Sequence, residues 1–241
     1  MDQSNIEWTD ATWNPTIGCT EVSPGCENCY AKRITQRFPN NYPNGFDLTL
    51  REHVIDLPLR WKAPRRIFVN SMSDLFHVDV PDAFIRRVFD VMVSADRHQF
   101  QVLTKRAERL ARLAPSLPWP EHVWMGVSVE TLAYKWRVDY LRKTPAAIKF
   151  VSAEPLLGSL KGINLTGIDW LIAGGESQSG CRPAQLDWFR ELRDQCRRED
   201  VAFFLKQLGG HPFKRGGDEA KIDGRRWHEM PLTTTAAGQR S

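Results

Sequence analysis

The chain has 241 residues, of which 41% are hydrophobic and 26% charged, a balance that excludes a largely disordered polypeptide. No apolar run reaches the ~18 residues that a membrane helix needs, and the opening MDQSNIEWTD is too polar and acidic for a secretory signal or transit peptide, so a cytoplasmic location is expected. A net charge of +4 is compatible with nucleic acid, yet far from the concentrated basic character of a dedicated binder.

Taken in chain order, the pattern predicts a first strand over 12–17, then a cysteine-bearing loop. Residues 38–64 form an insertion with the turn-rich opening Pro39-Asn40-Asn41-Tyr42-Pro43-Asn44-Gly45, readable as a lid, a substrate-facing segment or a surface excursion. Strands follow over 67–69, 100–103, 123–129, 148–151, 168–173 and 201–205. Between them lie helical patterns over 81–95, over a basic stretch at 105–113, through Tyr140, and over 185–198. A polar cluster closes nearly every strand. Strands alternating with helices predict parallel βαβ units and an α/β fold. The architecture expected is a full or partial (β/α) barrel, with functional groups at the carboxyl ends of its strands. One domain is expected over 1–231, with a polar, Gly-rich stretch from Gly216 and a flexible tail over 232–241. The nine tryptophans read as scattered over element edges, with no stacking platform.

Five cysteines are an odd number, and Cys19, Cys26 and Cys29 fall within eleven residues as C-x6-C-x2-C. In a reducing compartment this points to metal or redox chemistry rather than a disulfide framework. The two-residue gap lets Cys26 and Cys29 serve one metal or adjacent corners of a cluster. Pro24-Gly25 has the chemistry of a tight turn that brings Cys26 back towards Cys19. Three thiolates on a 4Fe–4S cubane leave one iron open for an exogenous chelate such as the amino and carboxylate groups of S-adenosylmethionine. Closed zinc sites take four ligands, so the same cysteines also admit zinc completed by Cys181, Cys196 or His77.

The segments Trp-Asn-Pro-Thr-Ile-Gly-Cys-Thr (13–20), Ser-Pro-Gly-Cys-Glu-Asn-Cys-Tyr-Ala (23–31), Asn-Ser-Met-Ser-Asp-Leu-Phe (70–76), Leu-Thr-Lys-Arg (103–106), Ser-Ala-Glu-Pro-Leu (152–156) and Gly-Gly-Glu-Ser (174–177) resemble the three-Cys-motif phage and prophage family, which is radical-SAM-like. The likeness spans about residues 6–231. It implies a 4Fe–4S cluster on Cys19, Cys26 and Cys29, bound S-adenosylmethionine, and its reductive cleavage followed by hydrogen abstraction from a substrate, with an electron donor as partner. Two features depart from the radical-SAM pattern. The first cysteine gap is six rather than three residues, and Gly174-Gly175-Glu176 comes four strands later than the motif that binds the methionyl amino group.

By position, the resemblance assigns that amino group to Ser71 or Asp74 and the ribose to Ser128 and Glu130, with Glu154 next. Tyr30 follows the last cysteine and is grouped with them. The strand-closing acids Asp74, Glu130, Glu154 and Glu176 are expected to converge around the cofactor, since carboxylates suit ammonium, sulfonium and ribose groups. Lys105, Arg106, Arg109 and Arg112 form a basic face that suits a phosphate or a solvated surface, and Lys206 and Gln207 reach the same mouth. Cys181 is a candidate hydrogen-atom donor by likeness to spore photoproduct lyase-like enzymes, whereas Cys196 reads as a packing residue. Two further readings stand beside the enzyme: a non-catalytic 4Fe–4S module that recognises DNA or a protein partner, and a zinc-stabilised domain.

Overall fold

A computed structural model describes residue 4 and residues 6–232 of the chain. Strands β1 (Ala11–Trp13), β2 (Thr16–Ile17) and β3 (Thr49–Leu50) precede β4 (Arg66–Val69), β5 (Gln99–Thr104), β6 (Val123–Ser128), β7 (Lys149–Ala153), β8 (Trp170–Gly174) and β9 (Ala202–Gln207). The helices are α1 (Tyr30–Arg37), α2 (Leu57–Arg60), α3 (Asp82–Ser94), α4 (Ala107–Leu113), α5 (Trp136–Leu141) and α6 (Leu186–Arg198). Seven strands form one sheet in the order β1-β4-β5-β6-β7-β8-β9, every neighbouring pair parallel. The sheet curls into a half-barrel flanked by helices, as the alternation of strands and helices predicts. No described helix is long and apolar enough to cross a membrane.

The two-residue period of a strand sorts the side chains of this sheet into two faces. Ile67, Val69, Phe100, Val102, Met125, Val127, Val151, Leu171, Phe203 and Leu205 join the large core beneath the helices. In α3, Phe84, Ile85, Val88, Phe89 and Met92 recur at helical spacing and bury the face that covers them, while Asp82 stands in the first turn, where a carboxylate offsets the dipole. The alternate residues Phe68, Trp124, Phe150, Trp170, Ile172 and Phe204 face the concave side and form a second apolar cluster with Trp8. Trp170 is its hub, with ring centroids 6.0 Å from Trp8, 6.1 Å from Trp124 and 5.6 Å from Phe150. The tryptophans are therefore not all scattered: Trp8, Trp124 and Trp170 close the floor of the half-barrel.

One sequence expectation needs correction, and two segments left open by the sequence gain a definite place. The first strand is two. β1 pairs with β4, the chain turns at Asn14-Pro15, and β2 pairs antiparallel with β3 outside the main sheet. Pro15 has no amide hydrogen to continue a ladder, and the Asn14 side chain instead accepts hydrogen bonds from Ser71 Oγ and the Met72 amide. The 38–64 insertion is not a loose excursion. Trp13 Nε1 donates to the Val54 carbonyl at 2.9 Å, Ile55 is buried, and Leu48, Leu50, Leu57 and Trp61 pack on the core. The polar stretch from Gly216 is anchored: Ala220, Ile222 and Trp227 are buried, and bridges from Gln207 to Gly216 and from Phe204 to His228 cover the outer edge of β9. The tail expected over 232–241 lies outside the described residues apart from exposed Leu232.

Candidate metal and cofactor site

A cavity of about 740 Å³ opens at the carboxyl ends of the strands, above the aromatic floor. Cys19, Cys26 and Cys29 all line it, each partly exposed. The loop that carries them is held along its length. Gly18, at φ +86°, passes so close to the insertion that a Cβ there would lie 2.2 Å from the Asp47 carbonyl oxygen, so only glycine fits. Its amide donates to the Met72 carbonyl, and the Cys19 amide donates to Phe46. A 3₁₀ turn over Pro24–Cys26 then reverses the chain, as the Pro-Gly pair predicts, and Cys29 caps the first turn of α1. Cys26 lies near enough to Cys19 to influence its titration, though burial first, and then Asp74, push the Cys19 thiol up to about 11.

A guanidinium donor faces one of the sulfurs and a hydroxyl oxygen a second. Arg106 Nη1 lies 3.4 Å from Cys19 Sγ, and Ser23 Oγ lies 3.8 Å from Cys26 Sγ. Neither contact is a strand-end carboxylate; of the four acids Asp74, Glu154 and Glu176 line the cavity, and each is also engaged by protein donors. Asp74 accepts from the Phe76 amide and Thr104 Oγ1 on one oxygen, and from the Lys105 amide and Arg106 Nη1 on the other. Glu130 is fully buried beneath the loop, where it accepts from Ser23 Oγ at 2.7 Å and Arg137 Nη1 at 2.9 Å, with Lys105 Nζ at 3.3 Å. A Cβ on Gly25 would meet Glu130 Cγ at 2.5 Å. Glu176 takes Asn28 Nδ2 at 3.0 Å and the Arg182 amide at 2.8 Å, while Arg182 reaches on to Glu27 and the Pro24 carbonyl. Burial pushes the Glu176 carboxyl up, but the hydrogen bonds from Arg182 and Asn28 outweigh it and hold it below its ordinary value.

Asp74, Glu130 and Glu176 thus clamp the cysteine loop, and Glu130 does not line the cavity. Glu154 differs. It lines the cavity and takes Lys206 Nζ at 2.6 Å on Oε2, while its buried Oε1 has no hydrogen-bond partner among the described residues. Ser71, Ser128 and Tyr30 also line the cavity, and the Tyr30 hydroxyl donates to the Ser71 carbonyl. The basic face divides. Arg106 belongs to the site, whereas Arg109 is spent on the His77 and Val80 carbonyls and on Asp82. Cys181 stands between Gly180, whose carbonyl accepts from Asn28, and Arg182, and it is not among the cavity-lining residues. Cys196 is buried in α6 among core side chains, as expected of a packing residue.

Three thiols on one cavity are soft donors of the kind a cubane takes. Ligands of one ion converge on a single point, with Zn–S near 2.3 Å, and among the described residues no three His, Cys, Asp or Glu side chains do so. Thiolates on a cubane each hold a different iron and need not converge. Of the three fourth zinc ligands suggested by sequence, two are engaged elsewhere and Cys181 remains a free thiol. Cys196 is in the core, and both ring nitrogens of His77 are in use, Nδ1 accepting from the Asp79 amide and Nε2 donating to Thr20 Oγ1.

Asn14, Ser23, Asn28, Arg137 and Arg182 are the working residues that sequence reasoning missed. Ser23 and Asn28 carried a signal, since both interrupt the cysteines with short polar side chains. Arg182 carried none beyond standing six residues from Glu176. No curated protein and no solved structure matches the chain. One family does: residues 3–231 match a family of proteins of unknown function, DUF5131, and the chain belongs to it.

Proposed function

We propose that Cys19, Cys26 and Cys29 hold a 4Fe–4S cluster at the mouth of the half-barrel, and that the cavity beside it takes S-adenosylmethionine in a radical enzyme. The observation that carries this reading is that all three thiols line one roomy cavity, which Glu154 with its unpartnered carboxylate oxygen lines too. The resemblance to radical S-adenosylmethionine proteins supports it independently. When bound, such a cluster supplies one electron to the sulfonium, the chemistry of reductive carbon–sulfur cleavage and hydrogen abstraction.

The protein's own work is positioning. Arg106 presents a donor to the Cys19 sulfur, which offsets part of the burial that pushes that thiol up, while Ser23, whose proton goes to Glu130, turns its oxygen to Cys26. Glu154 Oε1 is the acceptor left for an ammonium or a ribose hydroxyl, with Lys206 fixing its partner oxygen. Ser128 and Ser152 add hydroxyls to the same wall. The aromatic floor keeps water out from below, which protects a reactive carbon radical. Asp74 and Glu176 hold the loop rather than the ligand.

Anaerobic reconstitution with iron and sulfide, followed by calorimetry with S-adenosylmethionine and assay for 5′-deoxyadenosine after reduction, tests the reading. Binding and product formation support it, and a loaded cluster that binds no S-adenosylmethionine refutes the enzyme. That outcome leaves a second reading, a non-catalytic cluster module, which the saturation of Asp74 by four protein donors favours.

A further inference from the structure

The charges on the cavity wall cancel unevenly. Asp74 is matched by Arg106, Glu154 by Lys206 and Glu176 by Arg182. Three wall cations remain without an acidic partner among the described residues: Arg33, Arg37 and Lys214. Arg33 and Arg37 lie on α1, and Lys214 lies in the segment after β9. Beside these cations stand two large rings that the fold leaves open, Phe38 on the cavity wall at 47% exposure and Phe213 between the wall residues Pro212 and Lys214 at 77%. Phe38 already has the Arg37 guanidinium over its ring at 5.4 Å. An exposed ring next in sequence to a wall cation, found in two segments of the mouth, is the arrangement that stacks a base while neutralising its phosphate.

We propose that this mouth binds single-stranded nucleic acid, with phosphates on Arg33, Arg37 and Lys214 and bases on Phe38 and Phe213. As a substrate assignment it rests on the reading of the cavity given above. A single strand is favoured over a duplex because stacked base pairs offer no free faces to the rings.

The test is fluorescence anisotropy with a labelled twelve-nucleotide single strand, on metal-free and iron-loaded protein, across a salt series. Three phosphate contacts predict a slope of log K against log salt of about −2. The double variant Arg37→Ala with Lys214→Ala should reduce that slope to about −0.7. Phe38→Ala and Phe213→Ala should each weaken binding at least about fivefold and leave the slope unchanged. Circular dichroism checks that these surface variants stay folded. Equal binding of a duplex, or ring variants without effect, overturns the proposal. Complete displacement by a mononucleotide at matched nucleotide concentration also overturns it, in favour of a small nucleotide. If the protein loads iron and binds S-adenosylmethionine but no strand, this inference fails alone. If it binds the strand and retains no iron, the strand site stands and the cluster reading fails.

Discussion

The floor and the mouth of the half-barrel are built by the same strands on the same concave face, yet they are held by opposite physics. Phe150 and Ser152, or Phe204 and Lys206, stand two residues apart on one strand, the first of each pair in the aromatic cluster and the second on the cavity wall. At the floor, large rings exclude water; the Trp170 indole donates to the Glu229 carbonyl, while those of Trp8 and Trp124 are buried with no partner among the described residues. At the mouth, each carboxylate is matched to a cation that comes from elsewhere in the chain. The floor is therefore a stabilising element, and the mouth is a set of clamps whose purpose is to fix one loop.

The largest way to break this comparison is at the floor. Trp170→Ala should cost about 3–5 kcal/mol in denaturant unfolding, with little dependence on salt. A loss below about 1 kcal/mol would mean that the aromatic cluster is dispensable. At the mouth, Glu130→Ala strands Arg137, which is 1% exposed, and should approach the same loss of about 3–5 kcal/mol. It should also free the cysteine loop to proteolysis, which Trp170→Ala should not do below its unfolding range.

Smaller changes sharpen the contrast. Gly126→Ala places a Cβ 2.4 Å from the Phe150 ring, and overpacking of that kind should cost about 1–3 kcal/mol. Glu176→Gln should cost about 1 kcal/mol at neutral pH through its bonds to Arg182 and Asn28. The sign with pH follows from the depressed carboxyl: its contribution is full above the ordinary value of 4.5 and is lost as pH falls through the lower folded value. Unfolding curves of wild type and Glu176→Gln should therefore converge in acid. A gap that persists there would show that Glu176 acts through packing.

What the sequence made legible follows the same division. Strands β4 to β9 and helix α3 announce themselves because their apolar residues repeat at two or three-to-four residue spacing, and the floor and core follow from that repeat. The three metal-binding candidates were legible because they are local. The clamps were not, since Ser23 meets Glu130 across 107 residues and Asn28 meets Glu176 across 148. An acid at a strand end looks the same in sequence whether it awaits a ligand or holds an arginine. Trp227 and Ile222 were hidden for a related reason, as a few apolar residues in polar surroundings give no periodicity.

Iron and acid-labile sulfide content after anaerobic reconstitution bears most directly on the three thiols. Wild type and Cys196→Ala should each retain about four irons and about four sulfides per chain, while Cys19→Ala, Cys26→Ala and Cys29→Ala should each lose most of both. A wild-type chain that instead keeps a single zinc ion, or cysteine variants that load as well as wild type, would contradict the account.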